Sequence, residues 1–236
     1  MNHFTAAVVL VLCLFAWTVP IAAQESPAAV STKPEVQSAE SQAAMTPSKA
    51  LERLKAGNAR FVSNATKRRD WSAKVAATAS GQFPFAAVLA CMDSRAPIEI
   101  LFDQGIGDVF GVRVAGNIVN EDELGSLEYA VKVGTKLIVV LGHTNCGAVK
   151  GALDDVKLGN LTGLLAKMQP AVAAASCSNS KDEACVTKVA EKNVRQSMKE
   201  IRERSPYLAK YLDEGKVGLF GGMYDVATGK VTFLEN

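Results

Sequence analysis

An α/β fold in one domain, with a mainly parallel central β-sheet flanked by helices, is predicted by three features of the sequence. Four short apolar runs, at 85–91, 108–112, 136–141 and 217–220, are bounded by turn residues and read as buried strands. Helix-like stretches at 121–133, 145–156 and 187–204 alternate with them, the pattern of crossover connections in a parallel sheet. A weaker run at 231–234 predicts a short edge strand. The third feature is composition: 236 residues, 48% apolar and 21% charged, are enough for one buried core. A net charge of +2, from 26 Lys and Arg against 24 Asp and Glu, gives no reason to expect a nucleic-acid groove. A collagen, a disordered tail and a multi-span membrane protein are excluded.

Residues 1–23 contain no Lys, Arg, Asp or Glu, and carry an apolar run over 6–17 followed by Pro20, Ile21, Ala22 and Ala23. Small residues after a short apolar run predict a signal peptide, and Pro20 argues against a lasting membrane span. The mature protein is therefore expected outside the cytoplasm, in a bacterial periplasm. Residues 24–45 are rich in Ala, Ser, Glu, Gln and Pro without a hydrophobic period, and are expected to be a flexible linker. The domain is expected over 46–236. Thr46 before Pro47 predicts a helix start, and Leu51, Leu54, Ala59 and Phe61 carry that helix to about Val62. The glycines of 105–111 lack dinucleotide-binding spacing and precede a strand, so they predict a turn.

Ligands of such sheets gather outside the carboxyl ends of the strands. The first run ends in Cys91, Met92, Asp93, Ser94 and Arg95, and the third in Gly142, His143, Thr144, Asn145, Cys146 and Gly147. Two thiols, an imidazole and a carboxylate are the donors of tetrahedral zinc sites. The His-x-x-Cys pair sits where a turn enters a helix, whose N-terminus favours Cys146 as thiolate. Gly147 then removes a side chain where the backbone is expected to come close. Of the two histidines, His3 lies in the targeting segment, so histidine chemistry in the mature protein falls to His143. A Cys₂His set leaves one zinc position open, as in a catalytic site. The plainer alternatives are cysteines acting as small core hydrophobes and an ordinary Asp93–Arg95 ion pair. Cys177 and Cys185 flank a polar loop and are compatible with a disulfide if their Cα atoms approach within about 7 Å.

Cys-x-Asp-x-Arg followed about fifty residues later by His-x-x-Cys-Gly resembles the β-class carbonic anhydrases, and the likeness runs over most of 45–236. The resemblance implies Zn²⁺ on Cys91, His143 and Cys146. It implies that Asp93 and Arg95 form the catalytic dyad, orienting a zinc-bound hydroxide for the reversible hydration of carbon dioxide to bicarbonate and a proton. It further implies a homodimer or tetramer in which Gln82, Phe110 and Tyr129 line the substrate pocket, partly across the subunit interface, with Gly147 in the substrate-binding set. If Arg95 released it, Asp93 would become a fourth metal ligand and close the site. Gln82 goes with the open form, which is expected at neutral pH. One departure stands out: Arg113-Val114-Ala115-Gly116-Asn117 replaces the Arg-Asn-Ala-Gly-Asn or Arg-Asn-Val-Ala-Asn of many members, altering the pocket wall near Ala115. The alternative function is a noncatalytic zinc-binding module on the same fold, which would lack hydration activity.

Overall fold

The computed structural model describes residues 35–235, so the expected signal peptide and linker residues 24–34 lie outside the described residues. Its strands are β1 (Ala86–Ala90), β2 (Val109–Arg113), β3 (Leu137–His143), β4 (Gly218–Tyr224) and β5 (Val231–Phe233). They form one sheet in the order β2-β1-β3-β4-β5. β1 runs parallel to β2 and β3, β3 runs parallel to β4, and β5 alone is antiparallel. The four apolar runs each hold a strand. β3 and β4 extend beyond their runs to the pair His143 and Tyr224, because Gly142 in β3 and Gly221-Gly222 in β4 interrupt the apolar count and read as turns.

The helices are α1 (Ala39–Ala43), α2 (Pro47–Val62), α3 (Trp71–Thr78), α4 (Ile98–Leu101), α5 (Glu121–Val133), α6 (Gly147–Leu153), α7 (Gly159–Ala166), α8 (Gln169–Ala175), α9 (Glu183–Arg204) and α10 (Pro206–Asp213). Thr46 caps α2 by accepting from the Lys49 N–H, with Pro47 in the first turn. α5 opens on a capping box of Asn120 and Glu123 and stops at Gly134, whose φ of 115° ends the helix. α9 starts at Glu183, earlier than the expected 187, because Asp182 accepts from the Ala184 N–H.

Alternation along β1 divides the core. Ala87 and Leu89 pack with Leu127 of α5 and Val194 of α9 on one face of the sheet. Ala86, Val88 and Ala90 pack with Leu54 of α2 and Ile98 of α4 on the other. α9 lies close on β3: a Cβ at Gly142 would stand 2.6 Å from Val194 Cγ2.

The linker expectation is corrected at its end. Ser38 caps α1, and Gln42, 7% exposed, donates from Nε2 to the Pro84 carbonyl at 2.8 Å. Glu35 adds an ion pair with Lys67 and Met45 packs on the core, so the stretch folds onto the domain through scattered contacts with no hydrophobic period to announce them. Among the described residues, no helix is long and apolar enough to cross a membrane.

Cys177 and Cys185 join the end of α8 to the start of α9, with Cα atoms 5.9 Å apart and their sulfurs bonded. Titrating the unfolded, metal-free chain with and without reductant is expected to differ by the two thiols of this bridge. An unchanged count would show the cysteines free in solution.

Candidate metal centre

β1 and β3 are parallel neighbours with Ala90 beside Leu141, so the chain leaves both strands at the same end of the sheet. Cys91 follows β1 directly and His143 ends β3. Asn145, with φ 55° in the left-handed region, turns the chain so that Cys146 becomes the N-cap of α6. Cys91, His143 and Cys146 thereby bring their ligand atoms within 4.8 Å of one another, all three side chains buried.

His143 is oriented by its neighbour. Nδ1 lies 2.8 Å from the Thr144 carbonyl oxygen, to which it donates, leaving Nε2 as a bare acceptor. That Nε2 is buried and has no hydrogen-bond partner among the described residues. Buried polar atoms are ordinarily paired, and a lone pair left open among two sulfurs is the arrangement a metal completes.

The two thiols differ sharply. The Cys91 pKa is lowered, first by the neighbouring Cys146, with His143 and the Gly116 N–H assisting against burial. Cys146 is pushed up, first by Cys91 and then by burial, although the Ala148 and Val149 amides of the α6 N-terminus pull the other way. The α6 N-terminus thus favours the Cys146 thiolate as expected, but beside Cys91 its pull is the smaller effect. Two thiols brought within 4.8 Å in a buried site hold one negative charge between them unless a cation accompanies the second. Two thiolates and a neutral imidazole are borderline-soft donors suited to zinc, so the residues present fit the metal.

Asp93 and Arg95 stand at the rim. Arg95 donates from Nε to Asp93 Oδ1 at 2.9 Å, from Nη2 to Oδ2 at 2.8 Å, and from its backbone N–H to Oδ1 at 2.9 Å. This fork holds the Asp93 carboxyl well below the usual carboxylate range. Asp93 Oδ2 is 3.8 Å from His143 Nε2. Arg113, at the end of β2, donates to the backbone oxygens of Cys91 and Asp93 and so braces the loop carrying both. Sequence reasoning missed that role, although Arg113 opens the 113–117 run it had marked.

The remaining expected pocket residues do not meet this cluster within the chain. Gln82 is exposed and precedes β1, at the sheet end opposite Cys91. Phe110 pairs with Ala87, well before the strand's carboxyl end, and its ring centroid lies 6.0 Å from that of Tyr129 on α5. Both rings border an open cavity of about 760 Å³ shared with Arg113 and Ser126. Gly147 opens α6, and a Cβ there would meet nothing within 4 Å, so the close approach expected of it does not occur within the chain.

Fold and donor set define an α/β protein with a buried Cys₂His centre, suited to a metal, at the carboxyl edge of a parallel sheet. The profile of the carbonic anhydrase family matches residues 86–231. Carbonic anhydrase 2 of Mycobacterium tuberculosis is 35% identical over 194 residues, spanning 80% of this chain and 94% of that protein. The carbonic anhydrase of Mycolicibacterium smegmatis is 37% identical over 201 residues, spanning 78% and 92%. The fold is similar to that of a tetrameric β-carbonic anhydrase of Sordaria macrospora, with a TM-score of 0.63 at 26% identity over 70% of this chain and 91% of that one. The chain belongs to the β-carbonic anhydrase family, and it is an enzyme of that class.

Proposed function

We propose that the enzyme hydrates carbon dioxide reversibly to bicarbonate and a proton at a zinc ion held by Cys91, His143 and Cys146. The observation that carries this reading is the bare, buried His143 Nε2 converging with two sulfurs within 4.8 Å. Zinc, when bound, supplies a Lewis acid that makes a coordinated water acidic enough to lose its proton near neutral pH.

The protein's own contribution to orientation comes from Asp93. Arg95 places two donors on Oδ1 but one on Oδ2, so Oδ2, the oxygen nearer His143, keeps acceptor capacity toward the cluster. An ionised carboxylate accepts and does not donate. It therefore holds the hydrogen of the attacking oxygen and leaves that oxygen's lone pairs free for carbon dioxide. Release of Asp93 to become a fourth ligand would break all three bonds from Arg95, which favours the open form at neutral pH. Gln82, Phe110 and Tyr129 would serve the cluster of a neighbouring subunit in a dimer or tetramer; the exposure of Gln82 and Tyr129 and the placing of Gln82 and Phe110 away from the carboxyl ends of the strands support this. The charge-free N-terminal run and the Cys177–Cys185 bridge fit export to an oxidising compartment such as the periplasm.

Stopped-flow hydration with a pH indicator tests the reading on wild-type, chelator-treated and Asp93→Ala enzyme. Activity is expected to follow zinc content. The variant should keep its zinc and lose about 100-fold or more in kcat/KM, the scale of a positioned polar group. Activity that survives complete chelation, or an unaffected variant, would reject it.

A further inference from the structure

α9 packs an apolar face of Val186, Val189, Ala190, Val194 and Ile201 against the sheet, yet Asn193 and Ser197, one turn apart on that helix, are 1% and 2% exposed. Buried polar groups on such a face are costly unless they bond. Both donate to the same short turn, Ala115–Asn117. Asn193 Nδ2 donates to the Gly116 carbonyl at 2.7 Å, and Ser197 Oγ donates to the Asn117 carbonyl at 3.0 Å. Among the described residues Asn193 Oδ1 has no partner, so the bond to Gly116 accounts for the residue's polarity, and a leucine of similar size would suit the helix face better.

The turn they grip is unusual. Gly116 and Asn117 are successive residues in the left-handed region, with φ of 70° and 42°. A Cβ on Gly116 would stand 2.6 Å from Met168 Sδ. In this conformation the Gly116 N–H donates to Cys91 Sγ at 3.3 Å. The close seating of Val194 over Gly142 fixes the position of its neighbour Asn193 relative to the turn.

We propose that Asn193, assisted by Ser197, is a positioning residue for the metal centre: it locks the Ala115–Asn117 turn so that the Gly116 amide stays hydrogen-bonded to the Cys91 sulfur. The proposal rests on the reading of Cys91 as a metal ligand. A hydrogen bond to a ligating thiolate draws electron density from the sulfur, so the metal receives less negative charge from Cys91. That partly offsets the weaker acidity a two-thiolate donor set would otherwise impose.

The test loads the full chain with Co²⁺ and follows the sulfur-to-cobalt charge-transfer band together with Co²⁺ affinity by chelator competition. Asn193→Leu removes the donor while keeping the volume. Val189→Ala truncates the core on the same helix and has no hydrogen bond to the turn. Asn193→Leu is expected to weaken binding by about 10-fold or more and to move the band to longer wavelength, because the thiolate then yields its electron more easily. Val189→Ala should move neither. A wild-type band and affinity in Asn193→Leu overturn the proposal. If that variant does not fold, Ser197→Ala decides, a smaller shift in the same direction supporting the proposal and an unshifted band overturning it. A wild-type chain that binds no Co²⁺ overturns the metal reading and this proposal with it, whereas binding with unshifted variants overturns this proposal alone.

Discussion

Replacing His143 with alanine is expected to strip zinc from the purified enzyme and to lower kcat/KM for carbon dioxide hydration by more than about 100-fold. Residues one bond removed from a metal cost ~10–100-fold when mutated, and a ligand should exceed that range. Charge is the reason. With the imidazole gone, the buried Cys91 and Cys146 thiols cannot both ionise without a cation beside them, so one proton stays between them near neutrality. Such a pair offers a divalent ion one thiolate and no neutral nitrogen, and the ion must then displace a proton to gain its second sulfur. Structural damage should be small by comparison. Removing the side chain forfeits its hydrogen bond to the Thr144 carbonyl, a loss of about 1 kcal/mol. Elemental analysis, circular dichroism and stopped-flow hydration on the same preparation check all three statements. A folded variant holding stoichiometric zinc with wild-type turnover would remove His143 from the centre.

What could be read from the residues alone follows from where physics leaves a pattern. β1 and β3 are buried along their whole length, so their runs are continuously apolar and visible as strands. The ligand candidates stand at strand ends next to those runs, and processing at the expected site would leave His143 as the one histidine to choose. Other parts leave no such mark. α1 is held by Gln42 reaching the Pro84 carbonyl, and α4 and α8 are too short to develop a helical period. Arg113, Asn193 and Ser197 act by donating to backbone oxygens, for which no residue spacing is diagnostic. The available clue was the interruption of an otherwise apolar stripe in 187–204 by Asn193 and Ser197. Gln82 and Phe110 are a different case. A family likeness assigns them to the pocket, yet parallel register puts Phe110 level with Ala87 and leaves Gln82 before β1, away from Cys91. Only a second subunit would unite the two sets.

Asp103→Asn is expected to lower the unfolding free energy by about 3 kcal/mol at pH 7, and by progressively less as the solution is acidified. The Asp103 side chain is 1% exposed and accepts from Arg60, from Arg69 and from the Lys67 N–H, tying α2 and the segment before α3 to the end of α4. Its φ is 46°, a left-handed conformation that asparagine tolerates as well as aspartate, so the substitution removes charge without adding backbone strain. Breaking one side of a buried ion pair costs ~3–5 kcal/mol. The low end applies because the Arg60 side chain is 30% exposed and water takes up part of its charge. Burial alone would raise the Asp103 pKa, but the hydrogen bonds from Arg69 and Arg60 outweigh it and hold the folded value below the reference 3.8. A depressed folded pKa stabilises the native state at pH above the unfolded value, and that contribution is lost as pH falls through the folded one. The gap between wild type and variant should therefore be full at pH 7 and should narrow below pH about 4. Urea titrations followed by tryptophan fluorescence, at one protein concentration and one zinc concentration across the pH series, measure the gap directly. A difference that stays constant down to pH 3, or that is under 1 kcal/mol at neutrality, would mean that the charge of Asp103 does not carry this clamp.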